Sequence, residues 1–565
     1  MGNRIDTTAP RKSEAAPAQV IESAQRISES YGDYLSDESR YGPSSADRLV
    51  LVRDEAQVAE ELAASAEAGR ETTVSAGRTG IVGGAVPTRG TLLSLERMDR
   101  IRGVVRLPDG RFCVRVEPGV SVSDLRRRLE SGDLGVDDVR MDEGEREALA
   151  ALRADGRRFF YPPDPTEDTA HIGATVATNA SGARSYRYGA TRRHVHGVRL
   201  CLTSGEILAM SRGDCMAEGR RFVICEGGVD RVVDAPNYNM PATKNAAGYY
   251  SEDGMDLIDL IVGSEGTLGV ITEVELVLSP APEGVLSALA FFASDEDAIA
   301  FVRRARGDSS AFRGADGVDP IALEFFDSRS LDFLRERKIQ EGSSSDIPEL
   351  PESAGAAVLF EQDYTEETLE TSYEAWEEVL LAHGSSMEDT WGGLEESELE
   401  RLRLLRHSIA EEVNGAIARA KALHSGIHKI GTDASVPDDA LEIMFGFYRS
   451  ELDVTNLAHV VFGHIGDNHL HLNIMPRTPE ELQQGKELAK RFAARAVELG
   501  GSVSAEHGIG KIKHEFLRLQ YGDEGLRQMA AVKRAFDPPC ILNRGVIFPE
   551  ALLARGLHFG GSSER

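Results

Sequence analysis

A glycine-rich loop, SAGRTGIVGGAVP, covers residues 75–87 directly after a predicted strand at residues 73–76. Glycine permits positive φ angles and close approach of the backbone, so successive N–H groups of such a loop can form an anion-binding nest. A diphosphate is the natural guest of that nest, and a glycine-rich β-turn is the alternative interpretation. The loop has neither the GxGxxG fingerprint of nicotinamide-binding folds nor the Gly-Lys-Ser/Thr of nucleotide-binding P-loops.

Two later segments are also rich in small residues. They are PPDPTEDTAHIGATVATNASGARSYRYG at residues 162–189 and GSEGTLGVIT at residues 263–272. Crowded small side chains let a bulky cofactor lie against the backbone, or let loops pack tightly on one another.

The chain of 565 residues exceeds what one hydrophobic core supports, so at least two domains are predicted. The first domain is predicted to begin with a βαβ-like unit, made of a strand (49–52), a helix (55–68) and a second strand (73–76). The run Ser279-Pro280-Ala281-Pro282 then marks a boundary. The predicted parts are a polar extension of helix and loops (1–44), a first domain (45–282), a second domain (283–525) and a C-terminal segment (526–565) that ends in a disordered tail.

Further elements follow from local patterns along the two predicted domains. In the first domain, short strands are predicted at 91–95, 113–116, 198–203, 206–210, 257–262 and 270–278. In the second, strands at 286–292, 356–362 and 459–462 alternate with charged helices, one of them over 397–420. Residues 341–355 are predicted to form an exposed loop.

The formal net charge of −30 makes nucleic acids and anionic membranes poor partners. Five scattered cysteines without a CxxC pair argue against a disulfide scaffold or an iron–sulfur cluster in this chain. No apolar run approaches the ~20 residues of a transmembrane helix, and the N-terminus lacks the apolar core of a secretory signal. We therefore expect a protein of the cytoplasm or of the periphery of a membrane.

Three histidines lie within eight residues in the segment GHIGDNHLHLNI at 463–474. From His469 onward the pattern alternates, so His469, His471 and Asn473 share one face of a predicted strand whose other face is apolar. Imidazoles gathered in this way suit a borderline metal such as Zn²⁺, whereas a single histidine is more often a satisfied core residue. Further on, SAEHGIG at 504–510 offers a carboxylate and an imidazole beside small residues.

One arginine lies on the apolar side of a predicted helix. Leu402, Arg406, Ile409 and Val413 follow helical spacing. A charge there is costly unless it is paired, so Arg406 is a candidate to bind a carboxylate, and snorkelling at the edge of the stripe is the alternative. Lys429, in HKIGTDASVP, is a second candidate.

Four motifs in order give the chain a specific resemblance: GRTGIVGGAVP, PPDPTEDTAHIGATVATNASGARSYRYG, LIVGSEGTLGVITEVEL and FDPPCILNRGVIF. It resembles the FAD-linked oxidases of the vanillyl-alcohol-oxidase (PCMH) type, in their D-lactate, glycolate and D-2-hydroxyglutarate dehydrogenase branch. The resemblance covers about residues 45–550. It implies an α+β fold, with a bipartite PCMH-type FAD-binding domain completed by the C-terminal segment and a substrate-binding cap domain on a ferredoxin-like antiparallel sheet.

The resemblance also implies which residues line FAD, position by position. They are Ala76, Gly77, Arg78, Thr79, Gly80, Gly83, Gly84, Pro163, Asp164, Thr169, Gly173, Ala174, Thr178, Asn179, Gly182, Ala183, Glu265, Gly269, Val270, Ile271 and Asn543. Arg78 stands where the family more often has glycine, so it either adds a charge near the phosphates or points to solvent. No histidine lies in the first loop, so a non-covalent flavin is expected.

In this branch the motifs GHxGDGNLH and EHGIG provide the ligands of a divalent metal, and the second motif also provides a general base. Matched here, they imply His464, His471 and Glu506 as ligands, Zn²⁺ as the expected ion and His507 as the general base. The chain has Asn468-His469 where the family usually has Gly-Asn. His469 is therefore an extra ligand, a group that supports a ligand from behind, or a neutral variant, and the second of these is the expectation.

The resemblance thus implies an enzyme that oxidises a D-2-hydroxy acid to the 2-oxo acid by hydride transfer to flavin N5. His507 would remove the hydroxyl proton, and Arg406, at the family's substrate-arginine position, would hold the carboxylate. Electrons would then pass to a separate acceptor, such as a quinone, a cytochrome, an electron-transfer flavoprotein or an iron–sulfur subunit.

Two alternatives remain at this point. One is an FAD-using transferase similar to alkyl-dihydroxyacetone-phosphate synthase, although Ala505-Glu506-His507 stands where that enzyme is expected to have consecutive histidines. The other is a non-catalytic flavin subunit of an electron-transfer assembly, against which an intact metal triad speaks.

Overall fold

The computed structural model of the chain describes residues 2–13, 15–136, 141–307, 317–342 and 345–554. Its strands are β1 (Arg4–Asp6), β2 (Gln19–Ile21), β3 (Arg48–Leu51), β4 (Thr72–Ser75), β5 (Thr91–Ser94), β6 (Ile101–Arg106), β7 (Phe112–Val116), β8 (Phe159–Phe160), β9 (Val195–Cys201), β10 (Ile207–Ser211), β11 (Arg221–Glu226), β12 (Val229–Asp234), β13 (Val270–Val277), β14 (Ser279–Pro280), β15 (Gly284–Phe292), β16 (Ala322–Asp327), β17 (Ala356–Tyr364), β18 (Trp391–Gly393), β19 (Ile430–Gly431), β20 (His459–Gly463) and β21 (His471–Ile474).

Its α-helices are α1 (Ala24–Ser30), α2 (Glu55–Glu67), α3 (Val122–Ser131), α4 (Glu143–Ala154), α5 (Ile172–Thr178), α6 (Ser185–Tyr188), α7 (Leu257–Ile261), α8 (Asp295–Arg306), α9 (Ser328–Glu341), α10 (Leu369–Leu381), α11 (Glu396–Leu423), α12 (Leu441–Leu452), α13 (Pro479–Glu498) and α14 (His514–Phe536). None of the helices in the described ranges combines the length and the apolar composition that crossing a bilayer requires.

Two sheets enclose the first core. Strands β2, β3, β5 and β4 form one sheet in that order, with β3, β5 and β4 parallel. Strands β10, β9, β13, β7 and β6 form an antiparallel second sheet. Helix α2 lies between them, because Val58 and Leu62 share one buried cluster with Val50 of β3 and Val270 of β13. The Asp54 side chain caps this helix by accepting from the Gln57 backbone N–H.

The C-terminal segment returns to the first sheet. The backbone N–H of Thr72 donates to the Ile541 carbonyl at 2.9 Å, and the N–H of Asn543 donates to the Thr72 carbonyl at 2.9 Å. Ile541 and Leu542 are buried in the same cluster as α2. Residues far apart in sequence therefore close the bipartite domain, as the resemblance implies. The tail beyond residue 554, predicted to be disordered, lies outside the described residues.

A seven-stranded antiparallel sheet, in the order β18-β15-β17-β16-β20-β21-β19, carries the second core. Alternate residues of β15 face opposite sides, since Leu286 and Ala288 join the cluster of α8, α10, α12 and α13. Leu289 and Phe291 join the cluster of α9 and α11. Helices thus cover both faces, and the predicted α+β fold with an antiparallel-sheet cap is confirmed.

Three local predictions differ from the structure. Residues 257–262, predicted as a strand, contain helix α7, whose Asp256 side chain accepts from the Ile258 N–H. A short, fully buried apolar run has the same sequence pattern in either conformation. Residues 1–44 contain two short strands besides helix and loops, since β1 pairs with β11 and β2 with β3. In the loop predicted at 341–355, Ile347 and Leu350 are buried against the cap.

Candidate functional site

The turn between β20 and β21 gathers the histidines predicted from sequence. His464 follows β20 and His471 begins β21, and the two strands are antiparallel neighbours. Gly463 takes a φ of 123°, and a Cβ on it would lie 2.7 Å from Cδ2 of His471. Asn468 has a φ of 51°, so the chain leaves the strand pattern there, and the strand predicted from His469 begins only at His471.

Four side chains converge on one buried point. One donor atom from each of His464, His469, His471 and Glu506 lies within 4.8 Å of every other. Glu506 Oε2 is 3.2 Å from Nε2 of His464, 3.5 Å from Nδ1 of His469 and 4.0 Å from Nε2 of His471. The structure brings together the three predicted ligands and adds His469 to them.

Three atoms of this cluster, namely Oε2 of Glu506 and both ring nitrogens of His469, are buried without a hydrogen-bond partner among the described residues. Buried polar atoms are normally satisfied, and unsatisfied ones point to a missing ion or water. Imidazole nitrogens and a carboxylate oxygen at this spacing fit a divalent metal of the Zn²⁺ type.

Carboxylates stand behind two of the rings. Nδ1 of His464 lies 2.5 Å from Oε1 of Glu324 on β16, and Nε2 of His469 lies 3.0 Å from Oδ1 of Asp433. Burial alone lowers the pKa of His464, but Glu324 more than offsets this and raises that pKa to about 9. Burial opposes ionisation of Glu506, yet Lys244 and His464 hold its pKa well below the ordinary value.

Lys244 is a buried cation that the sequence analysis missed. Its Nζ lies 3.6 Å from Oε2 of Glu506 and 3.6 Å from Oδ2 of Asp467, and it donates to the Gly182 carbonyl at 3.3 Å. It therefore joins a predicted FAD-lining segment to the histidine cluster. The segment PATKNAAGYY contains a lone lysine with no periodic neighbours, so nothing in the sequence distinguishes it.

His507 lies beside the cluster, with its ring centroid 5.5 Å from that of His471. Its Nδ1 is 3.3 Å from Oδ1 of Asp433, and its side chain is 28% exposed. Asp433 also accepts from the backbone N–H of His507 at 3.1 Å and from Nζ of Lys513 at 2.6 Å. Although burial opposes ionisation, His507 and Lys513 hold the pKa of Asp433 well below its usual range.

The predicted FAD-lining segments meet next to this site. Both carboxylate oxygens of Glu265 accept backbone N–H bonds at 2.8 Å, from Ile509 and Gly510. Burial raises the pKa of Glu265 to about 7. The Asn543 side chain accepts from the Val74 N–H and donates to the Glu265 carbonyl, both at 2.8 Å. The 504–510 loop therefore contacts the predicted cofactor lining through Ile509 and Gly510, and it carries Glu506 and His507 immediately before them.

The predicted FAD-lining glycines fall into two groups. A Cβ on Gly173 would lie 2.4 Å from Cβ of Pro118, and one on Gly182 would lie 2.0 Å from the Asp164 carbonyl. These glycines are required by packing of the protein itself. A Cβ on Gly80 or Gly84 would meet no atom closer than 4.0 Å, so the first loop leaves open space at these two positions, which fits a bound diphosphate. In the same loop Gly77 and Gly83 have no such room, because a Cβ on them would lie 3.2 Å from His171 and 2.9 Å from Tyr41.

Arg78 is held by contacts within the protein. Its φ is 60°, its guanidinium lies 4.4 Å above the Tyr34 ring, and its Nη1 is 3.3 Å from Oε2 of Glu96. The N-terminal extension therefore fixes this side chain. Thr169 is exposed and donates to Glu167.

Arg406 and Lys429 differ in their surroundings. Arg406 is half-buried, and its charge favours the ionised forms of Glu324 and Asp164. Burial nevertheless keeps the pKa of Asp164 raised, whereas the pKa of Glu324, which also contacts His464, is lowered. Among the described residues, no hydrogen bond or ion pair occupies its guanidinium. In the described part of the chain, the Arg406 guanidinium therefore acts on Glu324 of the cap sheet and Asp164 of the predicted cofactor lining by charge alone. Lys429 is exposed, and no described contact ties its side chain to the cluster.

Most of the chain matches known families of flavoproteins. Residues 281–547 match the family described as FAD linked oxidases, C-terminal domain, and residues 46–144 and 137–211 match the FAD binding domain. The chain is 30% identical to the D-lactate dehydrogenase of Anaerostipes hadrus, over 94% of this chain and 95% of that one. This chain belongs to the FAD-linked oxidases. The family, the fold and the prediction of an FAD-linked oxidoreductase are confirmed.

Other relatives extend the comparison. The glycolate oxidase subunit GlcD of Bacillus subtilis (strain 168) is 29% identical, over 83% of this chain and 82% of its own. A D-2-hydroxyglutarate dehydrogenase of Stutzerimonas stutzeri (strain A1501) is 27% identical, over 84% and 85%. Among solved structures, an alkyldihydroxyacetonephosphate synthase superposes with a TM-score of 0.56 at 14% identity, covering 89% of this chain and 77% of its own, which shows a shared fold alone.

Proposed function

We propose that this FAD-linked oxidoreductase oxidises a D-2-hydroxy acid, of the D-lactate, glycolate or D-2-hydroxyglutarate class, to the 2-oxo acid. The observation that carries the proposal is the loop at 504–510. It supplies Glu506 to the histidine cluster and His507 to the edge of that cluster, and its Ile509 and Gly510 N–H groups donate to Glu265 in the predicted cofactor lining. The names of the three relatives support this substrate class.

FAD and a divalent metal ion would supply two functions that amino-acid side chains cannot, namely an electron acceptor and a Lewis acid. When bound by the loop at 75–87 and the small-residue segments, FAD supplies a two-electron acceptor for the hydrogen on the substrate Cα. A divalent metal held by His464, His471 and Glu506 would supply a Lewis acid that lowers the pKa of the substrate hydroxyl.

The remaining roles belong to charged side chains of the chain itself. Arg406 binds the substrate carboxylate, since its guanidinium has no other described partner. Nε2 of His507 takes the hydroxyl proton, while Asp433 beside Nδ1 fixes the ring and stabilises the resulting imidazolium. Lys244 keeps Glu506 ionised through their 3.6 Å contact. The substrate loses two electrons and two hydrogens, one as a proton to His507 and one with the electron pair.

The reduced protein needs a second partner to return to the oxidised state. We propose a separate acceptor, namely a quinone, a cytochrome, an electron-transfer flavoprotein or an iron–sulfur subunit. The five cysteines of the chain support an external acceptor, because all of them are free and four are buried.

Anaerobic reduction of the purified yellow protein tests the proposal. D-lactate, glycolate and D-2-hydroxyglutarate are each added without oxygen, and loss of the visible flavin absorption is followed, with L-lactate and L-2-hydroxyglutarate as matched controls. We expect at least one of the first three to bleach the flavin, and D-lactate or D-2-hydroxyglutarate to do so much faster than its own mirror image. Glycolate is achiral and has no such control. A flavin that stays oxidised with every 2-hydroxy acid, but is reduced by dithionite, would exclude the dehydrogenase and favour a redox-neutral transferase.

A further inference from the structure

His469 is the member of the cluster that family resemblance does not explain. Its side chain is fully buried, and its ring centroid lies 4.4 Å from that of His471 and 5.5 Å from that of His464. Its Nδ1 faces Oε2 of Glu506 at 3.5 Å. Both of these atoms lack a hydrogen-bond partner among the described residues. An imidazole buried in this way normally finds a partner, so the orphaned Nδ1 indicates a ligand in the space between them.

The surroundings of His469 fix which nitrogen faces that space. Asn468 adopts the left-handed conformation, and the backbone N–H of His469 donates to the His464 carbonyl at 3.1 Å. Nε2 then lies 3.0 Å from Oδ1 of Asp433, a side chain only 2% exposed. Nε2 makes no hydrogen bond among the described residues, but the charge of this carboxylate stabilises a proton on Nε2. The lone pair on Nδ1 is then directed toward Glu506.

His464 shows the same arrangement with its nitrogens exchanged. Its Nδ1 contacts Glu324, and its Nε2 faces Oε2 of Glu506 at 3.2 Å. Carboxylate–histidine pairs of this kind are typical of imidazoles that bind a metal. Two histidines, each backed by a carboxylate, therefore face the same atom, Oε2 of Glu506.

We propose that His469 is a fourth protein ligand of the metal, binding through Nδ1 and oriented by Asp433. This inference rests on the metal of the proposed function, and it replaces the expectation that His469 supports a ligand from behind. The spacing agrees with it, because donors ~2.1 Å from a shared ion lie roughly 3–4 Å apart. The observed separations from Glu506 Oε2 are 3.2, 3.5 and 4.0 Å.

A site of three imidazoles and one carboxylate has a chemical consequence. Four protein donors complete the tetrahedron that Zn²⁺ favours in structural sites, whereas a reacting hydroxyl needs an open position. With His464, His469, His471 and Glu506 all binding, the ion would need a further position for the substrate hydroxyl. That requirement favours an ion which readily takes five or six ligands, such as Mn²⁺, Fe²⁺ or Co²⁺, over a strictly tetrahedral one.

The test measures metal binding in the FAD-loaded full-length protein without substrate. Co²⁺ is titrated against a competing chelator, and the visible Co²⁺ spectrum is recorded, for wild type and three variants. His469→Asn restores the residue that the family usually has, and His471→Asn removes a predicted ligand. His459→Asn is the matched control, because His459 is also a buried histidine of this sheet but contacts the Leu457 carbonyl outside the cluster.

We expect His469→Asn and His471→Asn each to weaken Co²⁺ binding by more than about 100-fold and to change the spectrum, and His459→Asn to leave both unchanged. An His469→Asn variant that binds within about threefold of wild type, with an unchanged spectrum, would overturn the inference while leaving the dehydrogenase proposal intact. A wild-type protein that binds no Co²⁺ would overturn it as well, whereas flavin bleaching by hydroxy acids would still be judged separately.

X-ray absorption of the wild-type Co²⁺ protein gives a second answer that does not depend on any variant folding. Scattering from three imidazoles supports His469 as a ligand, and scattering from two contradicts it.

Discussion

Each histidine of the cluster has its protonation set by the groups that contact it. Glu324 raises the pKa of His464, whereas burial and then the neighbouring His469 and His464 rings lower the pKa of His471 well below the ordinary value. A ring that stays neutral can bind a metal without first releasing a proton. Chemically identical side chains within eight residues therefore start from different charge states.

The role of His507 gives the first prediction at this scale. His507→Gln removes the proposed base, and we expect FAD content to stay normal while the rate of flavin reduction by substrate falls about 10²- to 10⁴-fold. Stopped-flow absorbance under anaerobic conditions measures this rate. His428→Gln is the control, because that histidine is exposed and, within the described ranges, its ring hydrogen-bonds to the Gly426 carbonyl alone. Reduction of His507→Gln at the wild-type rate would assign the base elsewhere.

Asp433 gives the second prediction, which concerns stability. Asp433→Ala removes a buried carboxylate that accepts from Lys513 and from the N–H groups of Glu506 and His507. Removing one partner of a buried ion pair costs about 3–5 kcal/mol, because the other charge is left uncompensated. Denaturant unfolding of the metal-free protein checks this loss, with the exposed Asp439→Ala as control. A change below about 1 kcal/mol would contradict the buried network.

Sequence alone identifies some of these residues and not others. Compact motifs contain His464, His471, Glu506 and His507, so the residue types and their spacing predict a site. Lys244 and Asp433 contribute through contacts with residues 262 and 73 positions away, at Glu506, and no local pattern encodes such contacts. His469 was visible in the sequence, but its role depends on which nitrogen faces Asp433.

Among elements, the loop after β4 is the one whose shape most directly suits a cofactor. Gly84 needs no side chain for packing, since an added Cβ would lie 4.0 Å from Oε2 of Glu265. Gly173, at the start of α5, has no such room beside Pro118. The two positions therefore separate space kept for a ligand from space filled by the protein.

This contrast gives the third prediction. Gly84→Val should lower FAD occupancy at least tenfold while leaving the melting temperature of the FAD-free protein nearly unchanged, because its branched side chain fills the open cradle. Gly173→Ala should instead lower that melting temperature, since overpacking typically costs 1–3 kcal/mol. Flavin absorbance per polypeptide and thermal unfolding are the two measurements. Gly446→Ala, on α12 with open space around it, is the control.

The elements that sequence predicts best are the long ones. Helix α2 and strands β15 and β17 begin or end within about two residues of their expected bounds, because their periodic patterns extend over several turns or pairs. The five residues of α7 are too few for a period to show, and β1 and β2 of three residues each depend on partners elsewhere in the chain. Short elements are decided by tertiary contacts.

At the scale of the whole molecule, the site exists only where the two halves of the chain meet. The histidines come from the cap sheet, whereas Lys244 and the predicted FAD lining come from the other half. Ser435 of the cap donates to the Lys244 carbonyl at 2.7 Å, and Arg184 pairs with Glu361 at 2.8 Å across the same junction. Four motifs in order predict the family and fold from sequence, but only the docked halves show this junction.

Glu265 gives the last prediction, which concerns the unfolding free energy of the FAD-free protein. Burial raises its pKa to about 7, above the value it has when unfolded, so the folded state holds this proton where the unfolded state has lost it. Stability therefore falls as pH rises from about 4.5 to about 7, by at most roughly 1.4 kcal/mol per pH unit from this one group.

The Glu265→Gln variant carries no ionisable group at this position. Its unfolding free energy should therefore lack the pH dependence that Glu265 contributes over this interval. The measurement is the difference in denaturant unfolding free energy between wild type and variant at several pH values, because other titrating groups cancel in the difference. We expect wild type to lose stability relative to the variant as pH rises across this interval. A difference that is constant with pH would show that the Ile509 and Gly510 N–H bonds, which favour the carboxylate, fully compensate its burial.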